Sequence, residues 1–227
     1  MKNTDEGDCK DTDEAIKPEV SVRAPSFDEE VERVRYYNAK GVTTGVVLPD
    51  GVGSIKLPLT AIREIMQKEY DPRYYDKGLD RLNQHSEAIS ESLAVLMRYK
   101  EAWGFELEPD INIRLTRYGK AGSYYMHTKE VILKTDSEGN FGSKNPASDA
   151  VHEITHFAIE HLIQKYKVPQ SEKERIVDIL CATMYPELFE KEVAKLGAAA
   201  LETYRNALDR LPEVFESNFG KNEQETS

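Results

Sequence analysis

The sequence predicts an α+β fold: a small mixed β-sheet, a long backing helix, a helix carrying two histidines, and further helices toward the C-terminus. Three observations carry that reading. Leu82, Ile89, Leu93, Leu96 and Met97 recur at helical spacing between Leu79 and Trp103. Ile111, Ile113 and Leu115 alternate with polar neighbours in INIRLTRY, the period of a half-buried strand. From about Asn145 onward the helical period returns in successive segments as far as Arg210.

Residues 1–26 are acidic, contain Pro18 and Pro25, and hold few large apolar groups. They are expected to form a disordered tail, because too little surface can be buried to offset the entropy of ordering. From Gly41 to Leu57, β-prone residues flank Pro49-Asp50-Gly51, a turn combination that predicts a hairpin. Thr60 to about Tyr70 places Ile62, Ile65 and Met66 at helical spacing and stops before Asp71-Pro72. Hairpin and helix make an N-terminal unit over 27–78.

Leu79 to Trp103 is expected to be one helix, closed by Gly104. Ile111–Tyr118 and Ser123–Lys134, on either side of the break from Gly119 to Gly122, are expected to be adjacent antiparallel strands. After the turn-rich DSEGNFGSKNP, Asn145 or Ser148 caps a helix reaching about Tyr166. Ser171 begins the next, which Pro186 stops after Tyr185, so 79–186 form the core unit. The rest, 187–227, reads as a helical segment to Arg210 followed by a polar tail from Leu211-Pro212.

A chain of 227 residues can bury a sizeable core without disulfide staples. Its net charge of −11 argues against a nucleic-acid surface, which needs concentrated Lys and Arg. With only Cys9 and Cys181 there is no disulfide framework, and Cys181, in an apolar helical pattern, is expected to be a buried thiol. No apolar run is long enough to span a membrane, and the N-terminus lacks the apolar stretch of a secretory signal. A cytoplasmic location is the default reading. Cys9 before an acidic stretch leaves the alternative of an exported, lipid-anchored form whose signal has been removed.

His152, Glu153 and His156 form an HExxH sequence inside a helix. Residues four apart are offset by about 40° around the helix and about 6 Å along it, so both imidazoles can reach one ion. Glu153, on the neighbouring side of the same turn, is placed to take a proton from the attacking water without being a ligand. The competing interpretation is an ordinary amphipathic helix in which these residues fell together by chance. A buried stripe of Ile154, Phe157, Ala158 and Leu162, with strands just upstream, favours the metal site, and zinc is the metal expected.

A hydrolytic zinc site needs three protein ligands and one open position. His161 is turned about 140° away from His156, and Glu160 lies about 12 Å along the axis from His152, which suits a solvated helical face better than a shared ion. The next helix offers Glu174 as third ligand, with Asp178 one turn on to accept the outer ring N–H of a ligand histidine. Two alternatives stand beside it: Ser171 and Glu174 also spell a capping box, and Asp178 or Glu172 is a rival ligand.

HEITH followed by KERIVD resembles the gluzincins, the thermolysin-like superfamily of zinc peptidases, over roughly Ile111 to Tyr185. That resemblance implies a zincin-like fold in compact form, a glutamate ligand at Glu174 and a supporting aspartate at Asp178. It also implies an extended peptide or protein substrate lying along the free edge of a strand within Gly122–Lys134. Lys173 stands where that family commonly has asparagine, and no histidine follows His161 to steady an oxyanion. Tyr185, Tyr166 and Tyr204 are the candidates for that role, Tyr185 foremost.

The expected reaction is peptide hydrolysis with Glu153 as general base, Tyr185 at the oxyanion and Zn2+ as the sole cofactor. The alternative is a latent or non-catalytic zincin-fold regulator, with the segment after Pro186 lying over the cleft.

Overall fold

The computed structural model describes residues 18–40, 57–108 and 110–220. Among these residues ten α-helices and a four-stranded mixed sheet make the α+β fold expected. The predicted hairpin at Gly41–Leu57 lies almost wholly outside the described residues. No helix of the described residues is long and apolar enough to cross a membrane.

Strands β1 (Val20–Arg23), β2 (Ile111–Thr116), β3 (Gly122–Tyr125) and β4 (Glu130–Lys134) lie in the order β1-β2-β4-β3. β1 and β4 both run parallel to β2, and β3 runs antiparallel to β4, with Gly122 opposite Leu133 and Tyr125 opposite Glu130. β3 is thus an edge strand of this sheet. Two expectations change here. Ser123–Lys134 is a hairpin of two strands, and Ile111–Tyr118 does not pair antiparallel with it. Met126 to Lys129 makes the unforeseen turn, with Lys129 at φ 51, a conformation usually left to glycine or asparagine.

Alternation gives the sheet two unlike faces. Ile111, Ile113, Leu115, Val131 and Leu133 are buried in the main core, together with residues of α4 (Ser86–Met97) and α6 (Pro146–Lys165). The opposite face is mostly polar, the buried Ile132 apart, and carries α1 (Phe27–Ala39). There Glu30 accepts hydrogen bonds from the Tyr75 hydroxyl, from Thr116 Oγ1 at 2.7 Å and from the Arg117 N–H at 2.9 Å. Arg33, one turn on, donates to Ser123 Oγ at 2.8 Å and to the Tyr125 hydroxyl at 3.1 Å. Both charged side chains are buried, and such satisfaction is what keeps their desolvation tolerable. Val31 and Val34 of α1 pack with Ile62 and Met66 of α2 (Leu59–Glu69) in a second, smaller cluster.

Several boundaries move. β1 falls inside the stretch read as a disordered tail. Its Val20 and Val22 pack against the core, which rewards ordering those four residues. α1 was not expected, although Ser26 and Glu29 form a complete capping box at its start. The expected Leu79–Trp103 helix is three: α3 (Asp76–Gln84), α4, and α5 (Lys100–Trp103), broken at His85 and again at Arg98-Tyr99, with Gly104 closing the last at φ 72. The apolar stripe runs through both breaks, so periodicity alone could not see them.

α7 (Gln170–Met184) follows α6 after a short turn in which Lys167 has φ 51. Cys181 on α7 is fully buried, its thiol 3.5 Å from Thr155 Oγ1 and its pKa pushed up by burial. Beyond Pro186 the chain forms α8 (Glu190–Leu196), α9 (Ala198–Arg205) and α10 (Leu211–Phe219). Gly197, at φ 78, divides the first two. α10 replaces the start of the expected polar tail. Pro212 stands in its first turn, where proline is tolerated, and Leu211 and Phe215 are buried.

Candidate metal centre

Asn145 caps α6 by accepting a hydrogen bond from the Ala147 N–H at 3.0 Å, with Pro146 in the first turn. The helix buries Ile154, Phe157, Ala158 and Leu162, which turns His152 and Glu153, both half-buried, toward a cleft of about 590 Å³. His156, one turn on from His152, is only 3 % exposed. α7 runs back along α6, and that reversal brings Glu174 to His156 and Asp178 to His152.

Three donor atoms converge. His152 Nε2 and His156 Nε2 are 3.0 Å apart, and Glu174 Oε2 lies 3.2 Å from the second and 3.5 Å from the first. Three atoms bound tetrahedrally to zinc at about 2.0–2.1 Å would stand about 3.3 Å from one another. The observed separations bracket that value, so this donor set fits the ion. Burial, then the neighbouring His152, lowers the His156 pKa, which favours the neutral imidazole that can ligate.

The alternatives to Glu174 lie outside this cluster. No side chain caps the start of α7, so the capping box at Ser171 is not formed. Glu174 Oε1 instead accepts a hydrogen bond from Gln170 Nε2 at 2.5 Å, which steadies the carboxylate from behind. Glu172 faces Arg175 at 3.1 Å. Asp178 Oδ1 stands 3.6 Å from His152 Nδ1, the ring nitrogen outside the triad, and is not one of the three converging groups. That distance is ion-pair range and slightly too long for a hydrogen bond. Asp178→Ala is expected to weaken zinc binding about 10- to 100-fold without abolishing it, measured by competition with a chromophoric chelator.

Glu153 is not part of the triad, and its carboxyl lies against the start of the edge strand. A Cβ on Gly122 would clash with the Glu153 side chain, its carboxyl carbon at 2.7 Å and its Cγ at 2.8 Å, so glycine is what leaves this carboxylate its place. Burial, reinforced by Glu174 and Asp149, pushes the Glu153 pKa up to about 8. Gly122, Ser148, Asp149 and Asp178 line the cleft, and the Leu188–Glu192 stretch forms its far wall.

Three sequence expectations fail at the site. Tyr185 is 4 % exposed, its hydroxyl buried beside Thr155, and it does not line the cleft. At the end of α7, eleven residues beyond Glu174, it is about 16 Å along the helix from that residue and stands apart from the three converging donor atoms. Tyr166 packs on Phe215 with ring centres 6.1 Å apart, and Tyr204 lies on α9, neither of them lining the cleft. Glu160 is not a solvated face: its carboxylate receives Lys173 Nζ at 2.8 Å and the Tyr124 hydroxyl. His161, as expected, faces elsewhere, with Nε2 at 2.8 Å from the Trp103 carbonyl.

Sequence reasoning missed Gly122, Tyr124 and Gln170. Gly122 had a signal, a glycine opening a strand beside a helix that carries a carboxylate. The other two depend on which face of β3 and which turn of α7 meet α6, and no local pattern encodes that. The chain matches no protein-family model, no curated protein and no solved structure.

Proposed function

We propose that this chain is a zinc-dependent peptidase of zincin-like architecture, resembling compact gluzincins. The observation that carries the reading is the convergence of His152, His156 and Glu174 at separations suited to one zinc ion, with a second carboxylate, Glu153, beside them and outside the triad. Zinc held there would polarise a peptide carbonyl and acidify a water molecule. Glu153, returned to its ionised form by the positive charge that a zinc ion would place beside it against the burial that raises its pKa, takes a proton from the attacking water and passes it to the leaving amine. The outer edge of β3 offers backbone N–H and C=O groups to an extended substrate, and Gly122 keeps that edge in contact with Glu153.

A second reading, a zinc-binding regulator that hardly cleaves, is favoured by one finding: none of the three tyrosines considered for the oxyanion reaches the triad. Turnover separates the two. Hydrolysis of an unfolded protein substrate that stops with a chelator and returns with added zinc supports the peptidase. A zinc-loaded protein inert toward such substrates favours the regulator. Gly122→Ala should keep its zinc and lose about 10²-fold in hydrolysis, because the added methyl displaces the proton-transfer group.

A further inference from the structure

A histidine that holds a metal is ordinarily fixed by a hydrogen bond from its other ring nitrogen. His152 has Asp178 near that nitrogen. His156 has nothing comparable, because its Nδ1 is buried without a hydrogen-bond partner among the described residues. Its ring lies instead against the ring of Tyr124, centres 5.6 Å apart and planes 15° from parallel. Phe157 closes on the same tyrosine at 6.2 Å.

Tyr124 is itself held at its far end. Lys173 Nζ donates to the Tyr124 hydroxyl at 2.5 Å and to Glu160 Oε2 at 2.8 Å, and the tyrosine donates to the same carboxylate oxygen. Gln164 Nε2 supplies a further bond to Glu160 Oε1 at 3.0 Å. The side chains of Lys173 and Glu160 are 12 % and 13 % exposed, so their attraction is little screened. Three elements meet at this point: β3 through Tyr124, α6 through Glu160, and α7 through Lys173. His156 is one turn from Glu160, and Glu174 directly follows Lys173.

We propose that Tyr124, anchored by Lys173 and Glu160, is a positioning residue for the metal centre. Its ring does for His156 what a hydrogen-bond acceptor does for other ligand histidines, and its anchor fixes β3 against the two helices that carry the ligands. The proposal rests on the metal reading given above. It accounts for a lysine directly before the glutamate ligand, since Lys173 is the cation that locks the stacking tyrosine. Removing the anchor therefore loosens the ring, and removing the ring frees His156.

The test is zinc affinity of the full chain, measured by competition with a chromophoric chelator well below the unfolding temperature of each metal-free variant. Tyr124→Leu is expected to weaken zinc binding about 10- to 100-fold. Tyr124→Phe, which keeps the stack and loses the anchor, should fall between Tyr124→Leu and the wild type. Lys173→Met should resemble Tyr124→Phe, and Lys173→Arg should recover the loss. The absorption spectrum of the cobalt-substituted protein should shift in the same order, a change that a merely structural role would not produce. If Tyr124→Leu proves unstable, the Tyr124→Phe and Lys173→Met against Lys173→Arg comparisons decide the matter. Wild-type affinity and spectrum in folded Tyr124→Leu, or in both Tyr124→Phe and Lys173→Met, would overturn the proposal. A wild type that binds no zinc would overturn the metal reading itself, a different and distinguishable result.

Discussion

Glu153→Gln is expected to lower peptide hydrolysis about 10²- to 10⁴-fold while leaving one zinc ion bound per chain. The amide is nearly the size of the carboxylate, so the packing against Gly122 is preserved and no cavity opens. What disappears is the ability to accept a proton. The three donor atoms belong to His152, His156 and Glu174, so the substitution leaves the proposed zinc contacts untouched. Equal loss of zinc and activity in Glu153→Gln would place this residue among the ligands and undo the division of roles. Unchanged hydrolysis would remove it from the chemistry.

Truncation after Pro186 is expected to unfold the protein. This outcome separates two views of the C-terminal segment, a removable cover over the cleft or part of the core. Phe189, Leu201, Leu208, Leu211 and Phe215 are all buried, and they join the same apolar cluster as the sheet and α6. At roughly 1.5–3 kcal/mol for each buried side chain, losing five forfeits about 8–15 kcal/mol, the order of a whole domain's stability. The Trp103 indole N–H, which donates to the Leu208 carbonyl at 2.7 Å, would also be stranded in the interior. Circular dichroism and thermal unfolding read the result directly. A folded truncation with raised activity would instead support the latent form. The cleft does have a wall from this segment, but that wall is the short Leu188–Glu192 stretch and not the long helix expected to lie across it.

Much of the candidate site was legible because helices encode it locally. Spacing of four residues put His152 and His156 on one face, and the short link between α6 and α7 required the second helix to return along the first. Glu174 then fell opposite His156, and Asp178 opposite His152. The α+β class followed from periods of 3.6 and 2 in separate segments. What sequence could not supply was the pairing of distant strands. Met126-His127-Thr128-Lys129 contains no glycine, proline, asparagine or aspartate, so its turn was invisible and the two strands it joins read as one. With that turn hidden, the parallel pairing of β2 with β4 was hidden too, and so was the edge position of β3.

The misreading of Tyr185 has a different physical origin. The oxyanion role came to it from comparison with the gluzincins and not from its own surroundings, and burial of its ring decides its place. Tyr124 lay in an alternating strand where either face was open to it, and only the assembled sheet turns it onto His156. Two omissions were avoidable. Ser26 and Glu29 spell the start of α1, and Pro212 opens a helix as readily as it ends one.

The most direct test of the central claim is the metal content of the purified chain, prepared without chelators and measured by elemental analysis beside His152→Ala, His156→Ala and Glu174→Gln. The geometry predicts one zinc per wild-type chain and substoichiometric zinc in each of the three variants, all of them folded. A wild type free of zinc that also fails to bind it when offered, or undiminished zinc in the folded variants, would contradict the assignment of this site as a metal centre.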